Sequence, residues 1–190
     1  MASVFFDDKV FENLNFIEKP IQVGEYDNCT FINCNFSNGS LSGFDFVSCV
    51  FEDCDLSNLN LQNTGLKTIE FVGCKMFGLH FEDCNPFLLD MKFEKCMLNF
   101  STFFQMKLKQ IQFINCQLVE VEFNEVDLTK AVFQNSDLMN SSFLQSNLEE
   151  CDFSTATNLN IDPAQNKMKK SIFSKYELHG LLAKYNLKIV

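Results

Sequence analysis

A large apolar residue recurs at every fifth position along most of this 190-residue chain. The first series runs from Phe6 to Phe81, and a second series, displaced by two residues, runs from Leu88 to Phe153. An α-helix advances about 100° per residue and a strand alternates its two faces, so neither keeps a five-residue series on one side. The chain is therefore predicted to turn a corner about every five residues and to coil with these side chains inside.

Phenylalanine and cysteine each recur once in every four repeats, phenylalanine at the central position and cysteine two positions before it. The phenylalanine column comprises Phe11, Phe31, Phe51, Phe71, Phe93, Phe113, Phe133, Phe153 and Phe173. The cysteine column lies two positions earlier in its own repeats and comprises Cys34, Cys54, Cys74, Cys96 and Cys116. Both columns require a two-residue bulge near residues 85–87. Four repeats then form one coil, and about eight coils stacked roughly 4.8 Å apart form a rod near 40 Å long.

All nine cysteines occupy inward positions if Pro86 is taken as the displaced centre after Cys84. Their five-residue spacing differs from that of zinc sites, and the chain has only two histidines, His80 and His179. They are predicted to be reduced, small core residues, with no metal and no cofactor. The sequence contains no glycine-rich phosphate loop and no assembled catalytic set, so an enzyme is not expected.

The charge is strongly uneven along the chain. Residues 1–166 contain 24 acidic residues and 9 lysines, whereas residues 167–190 contain 1 acidic residue and 6 lysines. Phosphate binding needs clustered basic residues, so direct nucleic-acid binding by the long acidic part is not expected. The acidic start, MASVFFDDKV, does not resemble a signal peptide, and no stretch is long and apolar enough to span a membrane. A cytoplasmic location is therefore expected.

The run "AVFQN SDLMN SSFLQ SNLEE CDFST", residues 131–155, resembles the pentapeptide repeat family. Members of that family repeat a small residue, a polar residue, Leu or Phe, and two variable residues. The resemblance implies an all-β solenoid over residues 5–173, a right-handed quadrilateral β-helix with four repeats per coil. Phe44, however, is large for an inward position that small residues usually fill.

Residues 174–190 break the repeat. Ser174 and Glu177 match a capping box, and the following leucines have helical spacing, so a short α-helix is predicted from about 175 to 184, capping the last coil. The ending "IDPAQNKMKKSIFSKYELHGLLAKYNLKIV" is similar to that of the Qnr-type quinolone-resistance proteins, in which the terminal helix forms a head-to-head dimer. The resemblance implies a homodimer interface made by Tyr176, Leu178, Leu181, Leu182, Tyr185, Leu187 and Ile189.

The same resemblance implies a rod that mimics duplex DNA and binds DNA gyrase or topoisomerase IV. The carboxylates expected to face that partner are Glu120, Glu122, Glu125, Asp127, Asp137, Glu149, Glu150 and Asp152. A secondary acidic patch is expected at Asp45, Glu52, Asp53 and Asp55.

Charge density is consistent with such mimicry. Duplex DNA carries one charge per 1.7 Å, or roughly 22 over about 38 Å, and the coil carries about two thirds of that charge. The bulge is much shorter than the projecting loops of many Qnr proteins, so binding or inhibition of gyrase is better supported than protection from a drug. Because a fold does not fix a function, a structural or interaction solenoid with another protein partner remains the alternative.

Overall fold

Short parallel strands stack into a long coil in the computed structural model, which describes residues 4–188. Within these residues the strands are β1 (Val4–Asp7), β2 (Val10–Glu12), β3 (Gly24–Asp27), β4 (Thr30–Ile32), β5 (Asp45–Val47), β6 (Val50–Glu52), β7 (Gly65–Lys67), β8 (Ile69–Val72), β9 (Met91–Glu94), β10 (Gln112–Ile114), β11 (Val132–Gln134), β12 (Asp152–Phe153) and β13 (Ile172–Phe173). The strands are two to four residues long, because the chain turns a corner after each five-residue repeat.

The strands define two of the four faces of the coil, which we number 1 to 4 in chain order. Face 1 begins with the sheet β1-β3-β5-β7, and face 2 is the nine-stranded sheet from β2 to β13. Isolated parallel bridges build faces 3 and 4, such as Asp55–Lys75 on face 3 and Glu122–Ser142 on face 4. Pairing partners are one coil apart, so the predicted solenoid of about eight turns is confirmed.

Aromatic rings fill the centre of the coil in a regular arrangement. On face 2, the ring of Phe113 stacks on those of Phe93 and Phe133, with centroids 5.1 and 5.2 Å apart. On face 4, Phe103 and Phe123 stack in the same way and meet Phe113 edge-on, at 5.8 and 5.7 Å. Offset stacks and edge contacts are the arrangements that aromatic quadrupoles favour. Each coil is therefore held mainly by the coils directly before and after it.

Phe44 is buried although small residues usually fill its position. Its ring stacks near those of Tyr26 and Phe46, at centroid distances of 6.1 and 5.9 Å. The same inward position holds Gly24 one coil earlier and Thr64 one coil later. These two small residues leave room for the large ring. The room is visible only when residues 20 positions apart are compared, and not within one five-residue repeat.

The two-residue shift in register lies between two well-defined pairings. Asn85 still pairs with the residue 20 positions earlier, Gly65, whereas Met91 pairs with the residue 22 positions earlier, Ile69. Leu88 was expected to point inward, but it has a positive φ of 55° and its side chain is exposed. Leu89 packs against the core in its place.

The predicted α-helix at residues 175–184 is wrong. Two short 3-10 helices, Leu178–Leu181 and Ala183–Tyr185, form a strap across the last coil instead. Ser174 Oγ accepts a hydrogen bond from the N–H of Tyr176 at 3.2 Å and does not cap an α-helix.

Close contact with the coil explains the strap's irregular path. Ile161 N–H donates to the carbonyl of Gly180 at 3.2 Å, and a Cβ at Gly180 would lie 1.9 Å from the Leu159 carbonyl oxygen. Lys184 Nζ also pairs with Asp162 at 2.6 Å. These contacts fix the strap against its neighbours, so its backbone follows the surface of the last coil rather than its own helical preference.

Candidate functional site

The cysteines lie inside the coil, as predicted. All nine are buried, and most Sγ atoms donate to a carbonyl oxygen of the preceding coil; Cys49 Sγ, for example, lies 3.2 Å from the oxygen of Tyr26. Burial raises the pKa of Cys49 to about 12, which keeps the thiol neutral at physiological pH. Within residues 4–188 no cluster of His, Cys, Asp or Glu has the arrangement of a metal site. The residues considered next as contacts for a partner are the carboxylates on the outer faces.

The eight carboxylates expected to face a partner are distributed around the rod. Bridges place Glu122 on face 4, Asp127 on face 1 and Asp137 on face 3. Pairing with Val132 places Asp152 on face 2. Neighbours along the chain separate because each five-residue repeat turns to the next face. The set therefore forms a band around the rod, and its role in binding stays a prediction.

Part of this band is held in place by local contacts. Asp127 lies 3.4 Å from Lys109 Nζ and accepts a hydrogen bond from the N–H of Thr129 at 3.1 Å. Although burial opposes it, the Thr129 hydrogen bonds and the Lys109 charge hold the pKa of Asp127 below its usual value. Gln105 Nε2 donates to Glu125 at 2.8 Å, and Asn124 Nδ2 donates to Glu122 at 2.8 Å. These hydrogen bonds and the Lys109 contact fix the orientation of the three carboxylates.

The secondary patch is also divided between faces. Asp45 belongs to face 1, where it forms a 2.7 Å ion pair with Lys67 Nζ that reduces its charge toward solvent. Glu52 and Asp53 lie at β6 on face 2, and Asp55 lies on face 3.

Charge alternates in bands along the rod. Residues 4–66 contain ten carboxylates and two lysines, and residues 120–166 contain nine carboxylates and one lysine. Residues 67–119, between them, contain five carboxylates and six lysines. Residues 167–188, at the strap end, contain one carboxylate and six lysines. We call residues 4–66 and 120–166 the first and second acidic bands.

The residues expected at a dimer interface differ in their exposure on the strap. Leu181 packs against the core and is only partly accessible. Tyr176, Leu178, Leu182 and Tyr185 expose apolar surface to solvent, as does Leu187. Ile189 lies outside the described residues.

Comparison with known proteins identifies the class. A stacked parallel coil with an inward apolar residue in every five-residue repeat defines a β-solenoid, and a family model for the pentapeptide repeat region matches residues 25–103 and 106–181. The chain belongs to the pentapeptide repeat family. A search of curated proteins found no match.

Two solved structures of trypsin-treated variants of QnrB1, described as a plasmid-mediated fluoroquinolone resistance protein, resemble the chain. Each superposes with a TM-score of 0.64 at 15% sequence identity. The alignments cover 98% and 100% of this chain and the whole of each QnrB1 chain. At this level of identity the likeness shows a shared fold. No helix within residues 4–188 has the length and hydropathy needed to cross a membrane.

Proposed function

We propose that this protein is a non-enzymatic mimic of duplex DNA that binds a type II topoisomerase, either DNA gyrase or topoisomerase IV, and modulates its activity. The observation that carries the proposal is a narrow rod with two acidic bands, in which carboxylates face outward around the coil. A DNA-binding groove is lined by cations that attract such a surface. The fold shared with QnrB1, described as a plasmid-mediated fluoroquinolone resistance protein, is consistent with the resemblance from which the proposal starts. The proposed partners act inside the cell, which implies a cytoplasmic protein.

The test is inhibition of DNA supercoiling. Purified protein added to gyrase and relaxed plasmid should inhibit supercoiling at micromolar concentrations, because the acidic rod competes with DNA for the same cationic groove. Inhibition should weaken as the salt concentration rises, since salt screens exposed charges beyond a Debye length of about 8 Å at physiological ionic strength. Unchanged supercoiling at tens of micromolar protein, for both gyrase and topoisomerase IV, would contradict the proposal.

We further propose that the strap joins two copies head to head. Its exposed residues, among them Leu182 and Tyr185, leave apolar surface that the last coil does not cover. The double substitution Leu182→Glu with Tyr185→Glu should place repelling charges on both sides of a two-fold contact and yield a monomer in sedimentation experiments. The matched control, Ile172→Glu, changes an exposed apolar residue of β13 on face 2 and should leave the dimer intact. A wild-type protein that sediments as a monomer would exclude this interface.

One observation favours the second candidate, an interaction solenoid with a different protein partner. Lys167, Lys169 and Lys170 lie at the strap end of face 1, so the acidic surface does not continue across the proposed two-fold axis. A continuous acidic surface would resemble DNA more closely. The supercoiling assay separates the two candidates, since only the first predicts inhibition of a topoisomerase.

A further inference from the structure

A cleft opens at the corner between faces 4 and 1, beside the two-residue bulge near residues 85–87. Parallel bridges join Gly65 to Asn85 and Lys107 to Asp127 on face 1. The bridge expected between Asn85 and Lys107 is missing from the pairings within residues 4–188. Successive coils separate there and leave a cavity of about 630 Å³. This volume falls in the range of about 300–1,000 Å³ found for ligand sites.

The cleft is apolar on one side and polar on the other. The residues that line it include Glu82, Leu89, Phe104, Gln105, Met106 and Lys107. Phe104 is 36% exposed, and Met106 is only partly buried although the next residue in its inward column, Val126, is buried. The opening therefore gives solvent access to side chains that the regular coil would cover. An aliphatic or aromatic group could pack there without any change in the core.

Carboxylates surround this apolar wall. Glu82 and Asp83 lie in the coil before Phe104, and Glu122 and Glu125 lie in the coil after it on the same face. Glu82 lines the cleft; its Oε1 atom lies 3.1 Å from His80 Nδ1, and its Oε2 atom is buried with no hydrogen-bond partner. Lys107 is the lysine among the lining residues. Glu82 and Lys107 are the charged residues of the lining, and Asp83, Glu122 and Glu125 in the adjoining coils add negative charge around it, which favours a cationic occupant.

We propose that the cleft receives an arginine or lysine side chain from a basic segment of a protein partner. The aliphatic stem packs against Leu89 and Phe104, and the ring face of Phe104 also attracts a cation. The charged head points toward Glu82 and Glu125. Apolar contact and charge complementarity together make such a pocket an anchoring point within a larger interface. This inference rests on the proposed function, because a DNA-binding partner supplies basic side chains.

The cleft can be tested without any topoisomerase. The probe is a blocked tripeptide with a central arginine, titrated into the full ¹⁵N-labelled protein and followed by amide chemical shifts. Saturable shifts are expected at Gln105, Met106 and Lys107. A matching peptide with neutral citrulline should bind about two- to fivefold more weakly, within the range expected for the loss of one exposed charge pair. Because supercoiling is not measured, failure here leaves the proposed function standing, and failure of that function leaves this binding measurable.

Four variants make the test specific. Glu82→Gln and Phe104→Ala should each weaken arginine-peptide binding several-fold. Two matched controls should leave it unchanged: Glu70→Gln, on face 2, and Phe100→Asn, at an exposed corner where φ is 65° and asparagine is tolerated. Equal binding of a leucine peptide, shifts spread over both acidic bands without saturation, or no shifts would each overturn the proposal.

Discussion

Replacing Phe113 by alanine is expected to lower the free energy of unfolding by about 3–5 kcal/mol, the usual cost of removing a buried phenylalanine. The ring is fully buried and has stacked neighbours on both sides and edge contacts to the adjacent column. No loop can collapse into the resulting space, because the backbone on every side belongs to a hydrogen-bonded coil. The cavity therefore persists in the middle of the rod.

Urea unfolding measured by circular dichroism gives the change in stability, and Phe87→Ala is the matched control. Phe87 is exposed, so its loss should cost well under 1 kcal/mol, as for most surface substitutions. Tyrosine fluorescence provides a second probe, which reports the two ends of the rod through Tyr26 in the first coils and Tyr176 and Tyr185 in the strap. Each coil contacts only its neighbours, so weakening the centre should also separate the unfolding transition seen by circular dichroism from the one seen by tyrosine fluorescence. A loss below about 1 kcal/mol for Phe113→Ala would show that the column contributes less than its burial implies.

The repeating core could be predicted because every coil places the same position in the same surroundings. Phe113 and Cys96 have residues of the same type one coil before and one coil after them, so the pattern of the whole column identifies each inward position even where a single repeat is irregular. The corners also have a recognisable composition, since residues two positions after most centres have positive φ, as at Asn33 and Asn135. Asparagine and glycine adopt this conformation most readily, and their frequency at these corners indicates it.

The parts that could not be predicted are those that depend on a single non-repeating contact. The strap lacks an α-helix because Gly180 lies against Leu159, a contact that no helical spacing reveals. The position of Phe44 depends on the small residues before and after it in one column. Carboxylates such as Glu122 and Asp127 are close in sequence but lie on different faces, so proximity along the chain does not define a binding surface.

Neutralising four of the nine carboxylates in the second acidic band should weaken topoisomerase inhibition about tenfold. The variant combines Glu120→Gln, Glu122→Gln, Glu125→Gln and Asp127→Asn. An exposed ion pair contributes about 0.2–1 kcal/mol, so four lost pairs correspond to about a tenfold change if each contributes about 0.35 kcal/mol. Asn at position 127 can still accept the hydrogen bonds that Asp127 receives from Thr129, so the fold should be retained. The half-inhibitory concentration in the supercoiling assay measures the effect.

The matched control neutralises the secondary patch with Asp45→Asn, Glu52→Gln, Asp53→Asn and Asp55→Asn. Both variants change the net charge by the same amount, so a general loss of negative charge would weaken inhibition equally in both. A larger loss in the second-band variant would locate the partner near the strap end, as the proposed dimer requires. A larger loss in the control would move the contact to the first acidic band, and equal losses would mean that total charge rather than a defined surface determines binding. Only the first of these three outcomes agrees with a topoisomerase bound across the dimer axis.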